Sequence, residues 1–233
     1  MDSKRYKKAY EMIEKEKRYQ LGEAVELLKK LPTGKFDETV EVHFHLGVDP
    51  RKADQQIRNS LVLPHGTGKT KTILVFAEGE KADEAKEAGA EYVGLQEYID
   101  KIKSGWLEFD VVISTPNLMG KIGRLGRVLG PRGLMPNPKV GTVTMDVKKA
   151  VNDSKGGKVT YRIDKLANLH LPAGKVSFEP KKLSDNVLMI INAILKDKPA
   201  TVKGVYIKSI SLTSTMAPSI KIDVPSITLE AKK

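Results

Sequence analysis

The chain has 233 residues, 40% of them hydrophobic, which suffices for one large or two modest domains with real cores and excludes wholesale disorder. Lys and Arg number 40 against 29 Asp and Glu, a formal net charge of +11 that points towards polyanionic partners. The absence of cysteine excludes disulfide frameworks, thiolate zinc sites and cysteine nucleophiles. No apolar run approaches the ~18 residues of a membrane span, and the Lys-rich start lacks the apolar centre of a signal peptide, so a soluble cytoplasmic protein is expected.

Residues 4 to 18 fit a helix with Tyr6, Tyr10 and Ile13 on one side. Ala24, Leu27, Leu28 and Leu31 then form a clearer apolar stripe, which Pro32 should end. From Thr39 to Val48 the pattern switches to strict alternation. Val40, Val42, Phe44, Leu46 and Val48 point one way, while Thr39, Glu41, His43 and His45 point the other. That row of polar side chains is more than a core needs, and it reads as a built surface. A polar stretch, Arg51 to Arg58, and a short apolar run, Leu61 to Leu63, follow.

From Thr70 the texture changes. Ile73 to Ala77 and Val111 to Ile113 are continuous apolar runs, as expected of strands covered on both faces. Lys81 to Ala88, Leu95 to Ile102 and roughly Asn117 to Val128 read as helices, and Glu91 to Val93 as a short strand. Strand and helix alternate, which predicts a small parallel α/β unit.

After Lys158 alternation returns, with Val159, Tyr161 and Ile163 opposite Lys158, Thr160 and Arg162. A helix is expected over Lys182 to Leu195, and two last strands over Val205 to Thr213 and Ser219 to Val224. The first of these places Ser209, Ser211 and Thr213 on one face before the turn Thr215-Met216-Ala217-Pro218. The economical organisation is an α+β domain built from both termini, residues 1–66 and 159–233, with an α/β domain inserted at residues 67–158. The Gly-rich, cationic stretches Pro64 to Lys69 and Ser154 to Lys158 are the two crossings. They fit a hinge or a pair of ordinary surface loops equally well.

Several motifs resemble chemical signatures and miss their requirements. Gly66-Thr67-Gly68-Lys69-Thr70 looks like the end of a phosphate-binding loop, but Leu63 stands where the first glycine is required and Pro64 removes an amide from the nest. A nucleotide hydrolase using Lys69 and Thr70 is therefore the weaker alternative. The glycines of Gly120 to Gly126 have the wrong spacing for a dinucleotide fingerprint. His43 and His45 share a strand face at metal-ligand spacing, but no third ligand is identifiable, so hydrogen bonding or RNA contact is the expected role and no metal or cofactor is assigned. No paired-carboxylate or Ser/His/Asp site has support, so a non-enzyme is expected.

The stretch Val111 to Met145 contains no acidic residue, yet carries Lys121, Arg124, Arg127, Arg132 and Lys139 among glycines and prolines. Cations on a backbone-exposing loop suit phosphate contact, against the alternative of a solubilising surface. Phe36, at the start of the first strand, fits a base-stacking ring or a core residue equally. Binding by charge alone is the third reading, and it would give the same salt dependence on any RNA.

Lys35-Phe36-Asp37-Glu38-Thr39-Val40-Glu41-Val42, Leu63-Pro64-His65-Gly66, Leu129 to Lys139 and Thr215-Met216-Ala217-Pro218-Ser219 jointly resemble one family, that of large-subunit ribosomal protein one, in its bacterial form. The resemblance runs from the first helices to the last strand. It implies a terminal α+β domain and an inserted Rossmann-like α/β domain. It also implies binding to large-subunit ribosomal RNA at the mobile stalk beside the exit-site tRNA, and to the protein's own messenger RNA as a translational repressor. By motif, it puts Lys35, Phe36, Thr39, Glu41, Asp164, Lys165, Ser209, Ser211, Thr215, Met216 and Ala217 on the RNA surface. Arg124, Arg127, Arg132 and Lys139 would add secondary RNA contacts, and Gly66, Gly68, Gly156 and Gly157 the hinge. A ribosomal, cytoplasmic location and a monomer when free are expected.

Where the family's turn reads Thr-Met-Gly-Pro, this chain has Ala217. If that position needs a positive φ or a close approach to RNA, Ala217→Gly should tighten RNA binding.

Overall fold

The computed structural model describes residues 3–31 and 34–230. The strands are β1 (Thr39–Leu46), β2 (Arg58–Val62), β3 (Ile73–Phe76), β4 (Tyr92–Gly94), β5 (Val111–Ser114), β6 (Lys158–Arg162), β7 (Asn168–Lys175), β8 (Ile207–Ser214) and β9 (Ile220–Ile222). The helices are α1 (Lys4–Glu11), α2 (Leu21–Lys30), α3 (Glu80–Glu87), α4 (Gln96–Lys103), α5 (Met119–Ile122), α6 (Gly126–Leu129), α7 (Val147–Lys155), α8 (Pro180–Lys196) and α9 (Val224–Glu230). The chain divides into two compact units, Met1–Gly68 with Val159–Lys233, and Lys69–Lys158.

The first unit is built on a four-stranded antiparallel sheet in the order β7-β1-β8-β9. Alternation decides its faces. Val40, Val42, Phe44 and Leu46 of β1, Leu169 and Leu171 of β7, Ile210 and Leu212 of β8, and Ile220 and Ile222 of β9 are all buried. They share one core with Leu21, Val25 and Leu28 of α2 and with Leu183, Val187, Ile190, Ile191 and Ile194 of α8. β2 and β6 form a separate two-stranded sheet. Gly47, just past β1, donates to the Tyr206 carbonyl at 2.7 Å, and a Cβ there would stand 2.1 Å from the carbonyl oxygen of Val205. This is a close backbone approach that only glycine permits.

The second unit carries a parallel sheet in the order β4-β3-β5, and its strands have an apolar layer on each face. Leu74 and Phe76 of β3 meet Ile99 and Ile102 of α4 and the row Leu118, Ile122, Leu125 and Leu129. Ile73 and Val75 meet Ala85 of α3 and Val147 and Val151 of α7.

Several sequence expectations are corrected. The first helix stops at Glu11, not near residue 18, because the following segment is laid beside β9. Tyr19 N donates to the Lys221 carbonyl at 2.9 Å, and Asp223 N donates to that of Tyr19 at 2.9 Å. Pro32 lies outside the described residues, but Leu31 is already extended at ψ 144°, as a residue preceding proline prefers. The helix expected over 117–128 is four short α and 3-10 pieces spanning 116–129. The space around Gly120, Gly123 and Gly126 is open, so packing supplies nothing to offset the ~1 kcal/mol that each helical glycine costs relative to alanine.

Four of these elements escaped the sequence reading: β2, β7, α7 and α9. β7 contains Pro172 and Gly174, which read as breakers. Pro172 is tolerated because β7 is an edge strand. At Gly174, with φ +155°, a Cβ would meet Leu183 Cδ2 at 2.9 Å, so the glycine lets α8 close on the sheet. Ser154 and Lys155, read as linker, are the last turn of α7.

Candidate nucleic-acid interface

The outward face of the four-stranded sheet is polar in register. His170, His43, Ser211 and Lys221 stand opposite one another across all four strands. Asn168, His45 and Ser209 form a second row, Glu41 and Thr213 part of a third, and Lys175 and Thr39 part of a fourth. The His45 and Thr39 rows, at the two extremes, are six residues apart along β1, about 20 Å of strand. Of the sequence-predicted residues, Thr39, Glu41, Ser209 and Ser211 therefore spread along one extended face, as suits a contact with a nucleic-acid chain, and do not converge on a point.

At the Thr39 end, two turns are tied together. Thr39 N donates to Thr215 Oγ1 and Thr215 N to the Thr39 carbonyl, both at 3.1 Å. Lys175 Nζ donates to the Asp37 carbonyl and to Thr39 Oγ1, each at 3.1 Å. The tie that sequence reasoning missed is Glu38, which is 0% exposed. Its carboxylate accepts from Gly34 N, from Ser214 Oγ at 2.6 Å and from Met216 N at 3.1 Å. Burial pushes its pKa up, but the hydrogen bonds from Ser214, Gly34 and Met216, with the charge of Arg5, more than reverse this and hold it below the ordinary glutamate value. The available signal was a lone acid at an in-facing position of the alternation, one before Thr39.

This tie presents Lys35, Phe36, Thr215 and Met216 at the surface. Phe36 is 55% exposed and Met216 46%. Phe36 is therefore not a core residue. Ala217 packs against the core, and Thr213 Oγ1 donates to its carbonyl at 3.0 Å. Its backbone does not need glycine: among the described non-glycine residues the one with positive φ is Ala167, at 65°. The strain expected at Ala217 is thus absent. Ala217→Gly is now expected to lower the free energy of unfolding by roughly 1 kcal/mol, through the lost methyl contact and the greater freedom of the unfolded chain. A urea midpoint above that of the parent protein would contradict this.

At the other end, the β6–β7 loop is closed by Asp164. Its Oδ1 accepts from Asn168 N at 2.7 Å and Leu166 N at 2.8 Å, and its Oδ2 from Asn168 Nδ2 at 3.2 Å. These bonds, that of Asn168 N foremost, hold Asp164 below the ordinary aspartate pKa. The loop projects Lys165 and the 73%-exposed Leu166.

Between the two ends lie the histidines. Sequence spacing offered no further histidine beside His43 and His45, but β7 brings one to His43: His43 Nδ1 and His170 Nδ1 are 2.7 Å apart, and their rings meet edge to face. Glu41 Oε2 lies 3.9 Å from His43 Nε2, and Asp164 Oδ2 lies 3.7 Å from His170 Nε2. Burial, and then the neighbouring His170, push the pKa of His43 down, against the pull of Glu41. His45 Nδ1 pairs with Asn168 Oδ1 at 2.9 Å. Among the described residues no group of three or more His, Asp or Glu side chains is arranged to hold a metal ion.

In the second unit, Arg124, Arg127, Arg132 and Lys139 are all exposed, while Leu118, Ile122, Leu125 and Leu129 of the same segment are buried. At the inbound crossing Gly66 and Gly68 have φ of 64° and 71°. A Cβ on Gly68 would meet Lys175 Cγ at 2.8 Å and the Phe178 ring at 3.1 Å. The chain then runs into β3, not into a helix, so the phosphate-loop resemblance has no structural counterpart. At the outbound crossing, Gly156 is the right-handed cap of α7 at φ −69°, whereas Gly157 has φ 97°. No helix among the described residues is long and apolar enough to cross a membrane.

Residues 28–218 match the model of the ribosomal protein L1p/L10e family, a span that includes the Glu38 tie, the four polar rows and the basic segment of the second unit. The chain belongs to that family, a membership that carries a structural role in the ribosome and contact with ribosomal RNA.

Proposed function

We propose that the polar face of the first unit binds large-subunit ribosomal RNA at the mobile stalk, near the exit-site tRNA, and binds a similar structure in the protein's own messenger RNA to repress its translation. One observation carries this reading: hydroxyl, imidazole, amide and carboxylate groups stand in four registered rows on an uncovered sheet face, with Lys35, Phe36, Lys165 and Met216 at its ends. Such groups pair with ribose hydroxyls and base edges and so read RNA shape, which charge alone does not do. Phe36 and Met216 offer flat apolar surface for a base or ribose.

In this reading, Lys35, Phe36, Thr39, Glu41, Asp164, Lys165, Ser209, Ser211, Thr215, Met216 and Ala217 form the main interface. Arg124, Arg127, Arg132 and Lys139 add weaker phosphate contacts. Gly66, Gly68, Gly156 and Gly157 let the inserted unit follow the RNA as a second domain. The protein acts as a non-enzymatic ribosomal component in the cytoplasm and is a monomer when free.

The test is a titration at physiological salt with a ribosomal RNA fragment carrying the stalk site, against a length-matched scrambled RNA. Nanomolar binding to the first and ~10³-fold weaker binding to the second are expected. Equal and strongly salt-dependent binding to both would mean that the +11 charge is the whole of the affinity.

A further inference from the structure

Beside the polar rows, where β8 and β9 meet the extended segment after α1, a cleft of about 390 Å³ opens on the same unit. Arg18, Lys208 and Lys221 bring three cations to it, and Ser209, Ser211 and Ser219 three hydroxyls, against a single carboxylate, Glu16. The side chains of Arg18, Lys208, Ser209, Ser211 and Ser219 make no hydrogen bond or ion pair among the described residues. Lys221 Nζ makes one, to the Lys15 carbonyl at 3.3 Å. The wall that holds Arg18 is fixed, because Tyr19 is hydrogen-bonded into register with β9 on both sides of the bridge to Ile222.

Three cations and three unengaged hydroxyls around a recess call for an anion rich in acceptor oxygens, and the volume suits one nucleotide. Resting on the RNA reading above, we propose that this cleft seats a phosphodiester and ribose of the bound RNA. The cations take the phosphate, the serines take ribose and phosphate oxygens, and the RNA path extends past Ser211 and Lys221 to Arg18. Arg18, Lys208 and Lys221 are thus RNA contacts that none of the four sequence motifs marks.

The test compares two charge-matched double variants of the full chain, Arg18→Ala with Lys208→Ala, and Lys181→Ala with Lys198→Ala on the helical side of the unit. All four side chains are exposed, so thermal unfolding serves as the check that both variants fold. The cleft variant is expected to bind the stalk-site RNA about 10-fold or more weakly near 0.15 M salt, with the slope of log K against log salt shallower by roughly 1.5 to 2. The control variant should keep the parent slope. Equal losses in both variants would reduce the effect to overall charge and overturn the proposal. Saturable binding of inorganic phosphate or adenosine monophosphate at micromolar concentration, with unaltered RNA binding by the cleft variant, would also overturn it and make the cleft a small-molecule site. A parent protein that does not discriminate stalk-site from scrambled RNA would instead refute the underlying function.

Discussion

Glu38→Ala is expected to remove about 3 kcal/mol or more of unfolding free energy and to weaken stalk-site RNA binding by two orders of magnitude. Three donors converge on this carboxylate: Gly34 N, Ser214 Oγ and Met216 N. Each is left without its acceptor by the truncation, at roughly 1–3 kcal/mol for a buried group. The Glu38 backbone continues the tie, since its carbonyl accepts from Val176 N at 2.9 Å. One side chain therefore fixes the loop bearing Lys35 and Phe36 to the turn bearing Thr215 and Met216. Under the proposed function, releasing it is expected to cost recognition as well as stability.

The pH dependence follows from the direction of the Glu38 shift. A folded-state pKa below the ordinary value near 4.5 means that the carboxylate's contribution is complete above that value and is lost as pH falls through the folded one. Glu38→Gln keeps one acceptor oxygen but turns an amide group towards donors, so it should be intermediate in stability and should flatten the acid limb of the stability curve. Urea unfolding between pH 3 and 7 reads both effects. If Glu38→Ala is destabilised to the expected extent but binds the stalk-site RNA as tightly as the parent under native conditions, the paired turns are not the recognition surface.

Most of the candidate interface was legible because strand alternation separates two faces without reference to partners. Thr39, Glu41, His43 and His45 stand where their positions in the sequence put them, and so do Ser209, Ser211 and Thr213. The rest depends on pairings between distant segments. The His43–His170 contact requires β7, whose Pro172 and Gly174 hide a strand from local reading. An edge position forgives the proline, and the glycine carries a φ of +155° that L side chains rarely adopt. Ala217 shows the limit of reading a single missing glycine: of the two needs it suggested, the positive φ is one that the turn does not have. Glu38 was masked by its chemistry: an acid beside a polar row reads as surface until the donors of residues 34, 214 and 216 are seen around it. The cleft near Arg18 was hidden because the segment after α1 reads as more helix, whereas it lies along β9.

Asn186 shows the same dependence on long-range pairing, and its removal should be the second large effect. It is 0% exposed, on α8 among Leu183, Val187 and Ile190. Its Oδ1 accepts from His65 N at 3.2 Å, and its Nδ2 donates to the carbonyls of Gly66 at 3.0 Å and Ala173 at 2.7 Å. The amide therefore fastens the Leu63–Gly66 turn, where the chain leaves the first unit, to the edge strand β7. Asn186→Leu fills similar volume but leaves one N–H and two carbonyls without this partner, so a loss of about 2–4 kcal/mol is expected despite good apolar packing. The loss should be local in its consequences. Amide exchange at His65 should accelerate by two orders of magnitude or more, while protection in β3 and β5 stays at the parent level, because the inserted unit has its own two apolar layers. Unchanged exchange at His65 would show that the turn is held by its own backbone, through Gly66 N to the Leu63 carbonyl at 3.1 Å, and not by α8. Under the hinge proposal the fastened turn has a mechanical role, since it anchors the chain where the hinge begins at Gly66 and so keeps the proposed RNA-binding face rigid while the inserted unit moves.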